Sequence, residues 1–330
     1  MTNILKKILI ATTVVAFTAC GGGGDTSSEP AGSAVASAKK LKKMTRTHAD
    51  KTQFFVTKYT YNANDLVEKS VEINYVGDSE QGDMKSKQVS EYTYEKTYNM
   101  VKVVSKSYDE NNKPTSTSTS LQTYSGDKIT TMKTENKHIE HSTLDTTSES
   151  KFTAYKGPIA TKTTLDTWDK DKKLSSHSKT ITKVVENKAT DMTTTSKNIV
   201  VNTTTSMSTS RTFDSLDRVI KTISQFPYIK DILMTTTINH LYDNDKSKRE
   251  PIFTCFGGYV QMAKNHRSKY PKAENHCYLS VGMKMKTMLG EEDFIESNTT
   301  YVNTIENGLV TKREDKDANG LRMTYTYEYE

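Results

Sequence analysis

The chain has 330 residues, a formal net charge of +6, 34% hydrophobic residues and 26% charged residues. So low an apolar share raises the question of disorder, but 18 Tyr, 9 Phe and many Val and Ile in alternating patterns point to a folded, thinly cored β protein. The basic balance does not point to nucleic acid. Residues 20–46 carry a net +3 and residues 47–330 only +1, which leaves no basic face for a phosphate backbone.

At the N-terminus Lys6 and Lys7 precede an apolar stretch from Ile8 to Phe17, and Phe17-Thr18-Ala19 leads into Cys20. A charged start, a short apolar run and small residues before a cut are the layout of a secretory signal. The run is shorter than the roughly 20 residues a spanning helix needs. With Cys20 directly after Thr18-Ala19, the segment resembles the signal and lipobox of bacterial lipoproteins. That resemblance implies cleavage before Cys20, a diacylglyceryl thioether on its sulfur, and attachment to a membrane through the lipid. Gly21 stands where inner-membrane retention signals carry Asp, so the same resemblance implies the outer membrane. Residues 1–19 are thus expected to be the signal peptide.

Residues 20–46 read as a flexible tether. Gly21 to Gly24 are followed by Asp, Ser, Pro and Ala, a composition with too little apolar surface to order itself. Its far end, Ala34 to Met44, has the makings of a short basic helix. Removing Cys20 leaves Cys255 and Cys277, an even pair in an oxidising compartment, and a disulfide between them is expected.

From His48 onward the pattern has period two. Val71, Ile73 and Tyr75 alternate with Glu72 and Asn74, and Tyr325, Tyr327 and Tyr329 alternate with Thr326 and Glu328. Such alternation marks strands with one packed and one wet face. Helical i, i+3, i+4 spacing is missing over any long stretch. Residues 47–330 are therefore expected to form one all-β domain: a long, curled antiparallel β-meander of successive hairpins. The stretch 251–290, rich in Met and holding both cysteines, reads as a disulfide-stapled insertion.

A phrase recurs between the strands: an aromatic residue, Asp or Asn, polar turn residues, then an apolar residue. It occurs at Tyr61-Asn62, Tyr108-Asp109, Trp168-Asp169 and Phe213-Asp214, with partial copies at Tyr242-Asp243 and Asp317-Ala318-Asn319-Gly320. Asp, Asn and Gly suit the left-handed backbone of tight hairpins. These phrases resemble the YD repeats of Rhs-type bacterial surface proteins, which implies successive hairpins. They depart from a regular array in their uneven spacing, and Asn, Asp or Lys replaces the middle Gly in most copies.

The chain carries no Gly-x-Ser-x-Gly elbow, no His-Glu-x-x-His pair and no phosphate-cradling glycine loop framed by a strand and a helix. No catalytic residues, metal ligands or cofactor are expected. His138-Ile139-Glu140-His141 is the one tight His/carboxylate cluster, yet strand residues three apart face opposite ways. Asp169 with Asp171, and Asp315 with Asp317, read as turn chemistry rather than a calcium loop. A transmembrane barrel needs an outward apolar band, whereas Lys, Glu and Thr fill the alternate positions here. The expectation is a lipid-anchored, non-catalytic binding or structural module of the cell envelope, with a glycan, lipid or protein partner. The alternatives are an acyl-chain carrier with a concave apolar lining, or an enzyme with dispersed residues.

Overall fold

A computed structural model describes residues 39–95, 99–126, 128–157, 159–186, 188–215, 218–229, 232–244, 249–251 and 276–330. Twenty strands are present among them. They run β1 (Leu41–His48), β2 (Gln53–Tyr61), β3 (Val67–Val76), β4 (Met84–Tyr94), β5 (Met100–Tyr108), β6 (Pro114–Ser125), β7 (Lys128–His138), β8 (Thr146–Lys156), β9 (Ile159–Trp168) and β10 (Leu174–Val185). The series continues with β11 (Lys188–Asn198), β12 (Thr203–Phe213), β13 (Val219–Ile229), β14 (Ile232–Tyr242), β15 (Arg249–Pro251), β16 (His276–Tyr278), β17 (Ser280–Leu289), β18 (Glu292–Glu306), β19 (Leu309–Asp317) and β20 (Gly320–Tyr329).

Each wall strand pairs antiparallel with the next, and β17 follows β14 around the wall. The last strand returns to the first: Met44 lies opposite Tyr327, Thr45 opposite Thr326 and Arg46 opposite Tyr325. Eighteen strands therefore close on themselves as a barrel. The meander of hairpins is as expected, but it is closed rather than curled. Closure has a simple cause. An open sheet of this length would leave two edges of unpaired backbone groups, and pairing β1 with β20 removes both.

Two boundaries also differ from the sequence reading. Wall strand β1 begins at Leu41, so the last residues assigned to the tether belong to the barrel, and Leu41 to Met44 of the expected basic helix are strand instead. Residues Ser280–Leu289 form β17, an ordinary wall strand, so the insertion lies between β14 and β17. Its described parts are β15 and β16, which pair with each other and place Glu250 opposite Cys277. Cys20 and Cys255 lie outside the described residues, and the lipid anchor and the Cys255–Cys277 bridge lie there with them.

The aromatic-Asp phrases sit at hairpin ends. Asp169 shows the mechanism: its carboxylate accepts the backbone N–H groups of Asp171 and Lys173, both at 2.9 Å. Asn62 does the same for Asn64 and Leu66, and Asp109 for Asn111 and Lys113. The fourth residue of each turn takes a left-handed backbone, at Asp65, Asn112 and Lys172. A carboxylate or amide oxygen thus replaces the missing strand partners at the bend.

Apart from Val56, which is buried in the half of β2 away from Tyr61, the core is a ring at one rim. Leu41, Val67, Met100, Ile159, Ala189, Leu309 and Val310 are all buried, and each lies at or next to the start of an odd-numbered strand. Opposite them stand the last residues of the even strands: Tyr61 faces Val67, Tyr94 faces Met100, Tyr124 faces Ile129 and Val184 faces Ala189. A β-bulge precedes the joint at Tyr61, Tyr94, Tyr124, Val184, Phe213, Tyr242 and Ile305. Both ends of the described wall lie at this rim, where Lys40 and Glu330 exchange backbone hydrogen bonds.

Candidate binding wall of the barrel

Because side chains alternate along every strand, cross-strand register sorts the wall into two faces. One carries charge near the middle of almost every strand. It includes Lys43, Lys58, Lys69, Glu91, Lys133, Lys151, Lys179, Lys183, Lys284 and Lys312. Its ion pairs are open to solvent: Lys133–Glu135 spans 3.6 Å and Lys183–Asp191 3.7 Å. Glu314 sits between Lys312 and Lys316, which hold its carboxyl down at about 2.

The other face carries rings, hydroxyls and amides. Small side chains are buried there even in mid-strand, including Ser90, Gln122, Ser150, Thr163, Thr180, Thr194 and Thr287. Such crowding of small groups belongs to the concave, inner side of a closed wall. Hydroxyls pair across the strands: Ser90–Ser105 at 2.8 Å, Ser120–Thr134 at 3.0 Å, Thr180–Thr194 at 2.9 Å and Thr236–Thr287 at 3.1 Å. These ladders fix the register where the sequence is nearly all Ser and Thr. The stretch Thr193–Thr209 accordingly pairs in register between β11 and β12.

Toward the rim with the chain ends, the inner face becomes a tyrosine girdle. The hydroxyl of Tyr94 donates to the carbonyl of Val67 at 2.8 Å, Tyr61 to Leu41 at 2.8 Å and Tyr329 to Val310 at 2.7 Å. Tyr124 and Tyr242 do the same to Met100 and Val219, both at 3.1 Å, and Tyr155 bonds the carbonyl of Ile129. Burial pushes the phenols of Tyr59 and Tyr124 well above their usual range, so they stay protonated.

Across the closure seam one level of this face differs from the rest. Register places Asn74, Phe55, Arg46, Tyr325, Arg313 and Asn303 side by side on β3, β2, β1, β20, β19 and β18. The Arg46 guanidinium lies 4.0 Å over the Phe55 ring, and that of Arg313 lies 3.6 Å over Tyr301. Arg313 is also bound by Asp315, with Nε–Oδ1 at 2.6 Å and Nη2–Oδ2 at 3.2 Å. Among the described residues Arg46 has no such carboxylate. Its Nε, Asn74 Oδ1 and Asn303 Oδ1 are buried without a protein partner, and His138 Nδ1 completes that set among the described residues. A buried polar atom left unpaired costs about 1–3 kcal/mol, so three at one level mark a place the fold alone does not satisfy.

The residues weighed in the sequence go elsewhere. His138 ends β7 with Nδ1 3.7 Å from Asp145, and Glu140 pairs with Lys113 at 2.6 Å. Asp171 pairs with Lys170, while Asp317 caps its own turn by accepting the N–H of Asn319. Of these only His138 meets an acid, Asp145, and among the described residues that pair gathers no third ligand. Among the described residues no group of three His, Cys, Asp or Glu is placed to hold a metal. The Arg46 level was missed because its members lie at positions 46, 55, 74, 303, 313 and 325, and only ring closure unites them.

No protein-family model matches the chain, and no curated protein does. Solved structures of related shape include a porin-like protein from Bacteroides vulgatus. It is 11% identical with a TM-score of 0.41, over 88% of this chain and 98% of that one. Another is a porin-like protein from Bacteroides uniformis, at 14% identity and a TM-score of 0.39 over the same shares.

Proposed function

We propose that the protein is a water-exposed, closed β-barrel tethered to the outer membrane through lipid on Cys20, and that it acts as a non-catalytic binding module of the envelope. The observation that carries this reading is the polarity of both wall faces. Whichever face is outward, it offers no apolar band about 25 Å tall. The charged face would bury a Lys or Glu in nearly every strand, at about 2–4 kcal/mol for each Lys at mid-membrane. The inner face would bury Arg46, Glu72, Arg211, Arg313 and Asp315 with dozens of hydroxyls. Closure satisfies the strand edges without help from lipid.

The tether fits this arrangement. Such a tether would join the wall at the rim where Lys40 lies, and a flexible chain of nineteen residues reaches about 24 Å. The barrel would stand off the bilayer with its tyrosine-girdled rim toward the anchor. A hydroxyl-rich wall suits a polar ligand and argues against the acyl-carrier alternative, which needs an apolar lining.

Labelled fatty acid should enter the wild-type protein and not Cys20→Ala. The Cys20→Ala protein should fractionate with soluble periplasmic contents and melt cooperatively without detergent. A Cys20→Ala protein that still needs detergent to stay folded would show that the barrel itself spans the membrane.

A further inference from the structure

We infer that the Arg46 level of the inner wall binds an acidic oligosaccharide, its carboxylate taken by Arg46 and its hydroxyls by Asn74 and Asn303. The inference deepens the binding role proposed above and rests on it. Arg46 supplies a buried N–H with no protein acceptor, while Asn74 and Asn303 supply buried carbonyl oxygens with no protein donor. The assignment at Asn303 is fixed by its own contacts, since its Nδ2 already donates to the carbonyls of Ser280 and Tyr301. Its free atom is therefore an acceptor. One level thus asks for an oxyanion at its middle and for hydroxyl donors on either side.

Charge agrees with that demand. Asp315 is engaged by Arg313, and Glu72, one level nearer the chain ends, makes no ion pair with Arg46. The Arg46 guanidinium lies 4.0 Å over the Phe55 ring, a cation–π contact that takes up none of its N–H donors. Five strand intervals separate Asn74 from Asn303, about 24 Å along the wall. That span suits an oligomer rather than a single sugar. Tyr325 lies between them on β20, and sugar rings pack their C–H faces on such rings. A uronic acid chain presents carboxylates and hydroxyls at this mixture.

The test is calorimetric titration of the full mature chain in mild detergent with hexagalacturonate, maltohexaose and hexaglutamate. Hexagalacturonate should bind, with at least tenfold weaker affinity in Arg46→Gln and several-fold weaker affinity in Asn303→Asp. Lys58→Gln, on the opposite face, should bind as wild type. Equal or tighter binding of maltohexaose would overturn the acidic assignment, and preference for hexaglutamate would make the ligand an acidic peptide. Failure of a cooperatively melting wild-type protein to bind hexagalacturonate would refute the site. The solubility of Cys20→Ala without detergent is read separately, so loss of this site leaves the tethered-barrel reading intact.

Discussion

The tyrosine girdle predicts a graded and local response to losing single hydroxyl groups. In Tyr94→Phe the ring stays and only the 2.8 Å bond to the Val67 carbonyl is lost. A hydrogen bond of this kind contributes about 1 kcal/mol net, or about a fivefold shift in a folding equilibrium. Tyr61→Phe should cost the same, since its bond to Leu41 is also 2.8 Å. Tyr155 lies several strands away, so pairing Tyr61→Phe with Tyr155→Phe should cost about 2 kcal/mol, the sum for independent sites. Tyr75 is the control: it lies on the charged face near Phe54, with no hydrogen bond of its hydroxyl. Tyr75→Phe should be neutral within about 0.5 kcal/mol. Urea unfolding midpoints read the totals, and amide hydrogen exchange at Val67, Met100 and Ile129 reads the location. Equal losses in Tyr75→Phe and Tyr94→Phe, or faster exchange spread evenly over the barrel, would refute the girdle as the source of stability.

The turns give a second test. Asp169→Ala should cost about 1–2 kcal/mol by freeing two backbone N–H groups at an exposed bend, whereas Asp169→Asn should be near neutral, because Asn62 already does this work. Lys172, at φ 60°, should tolerate Gly with no loss or a gain of up to about 1 kcal/mol in thermal melts. His240 is held below its ordinary 6.5 by burial and then by the charge of Arg211. Its unfolded form therefore takes a proton first as pH falls. Stability present above pH 6.5 should drain away below it, down to the lower folded value, and His240→Gln should flatten that slope in melts across the range. Reductant should lower stability by about 3 kcal/mol if Cys255 and Cys277 close their loop; unchanged melting together with two alkylatable thiols would rule the bridge out.

Much of the fold was legible because strands and turns are local. Alternation at Val71-Ile73-Tyr75 and Tyr325-Tyr327-Tyr329 located real strands, and the Asp after each aromatic located real bends. The apparent irregularity of the repeat came from mixing two rims. Tyr108 and Trp168 end odd strands at the rim far from the chain ends, whereas Tyr61, Phe213 and Tyr242 end even strands at the near rim. Followed along the near rim alone, Tyr61, Tyr94, Tyr124, Tyr155, Val184, Phe213 and Tyr242 recur at nearly even steps. One unit is thus a single hairpin, two strands with their turn. Tyr94, Tyr124 and Tyr155 escaped notice because the residue after each is Glu, Ser or Lys rather than Asp. Ring closure was illegible for a different reason. Leu41–His48 reads as Lys, Thr and Arg continuing a basic tether, and its partner β20 lies at the opposite end of the sequence.

Closure also explains why an inner surface this polar can persist. In an open sheet, Ser- and Thr-rich strands with two wet faces have little to hold their register, since a slip of one residue exchanges equivalent faces. A ring removes that freedom, because every strand is fixed by two neighbours and the first is fixed by the last. The buried apolar residues are then concentrated at one rim, where Leu41, Val67, Met100, Ile159, Ala189 and Val310 clamp successive hairpins. With stability concentrated there, the inner wall beyond the rim is free to carry groups that cost stability. Arg46, Asn74 and Asn303 lie on the side of the girdle away from the chain ends. That division places the unsatisfied level where substitution should alter ligand affinity far more than melting temperature. Arg46→Gln, which removes a half-buried charge whose Nε has no protein partner, should melt no lower than wild type. A large loss of stability in that variant would show instead that Arg46 clamps the seam by stacking on Phe55.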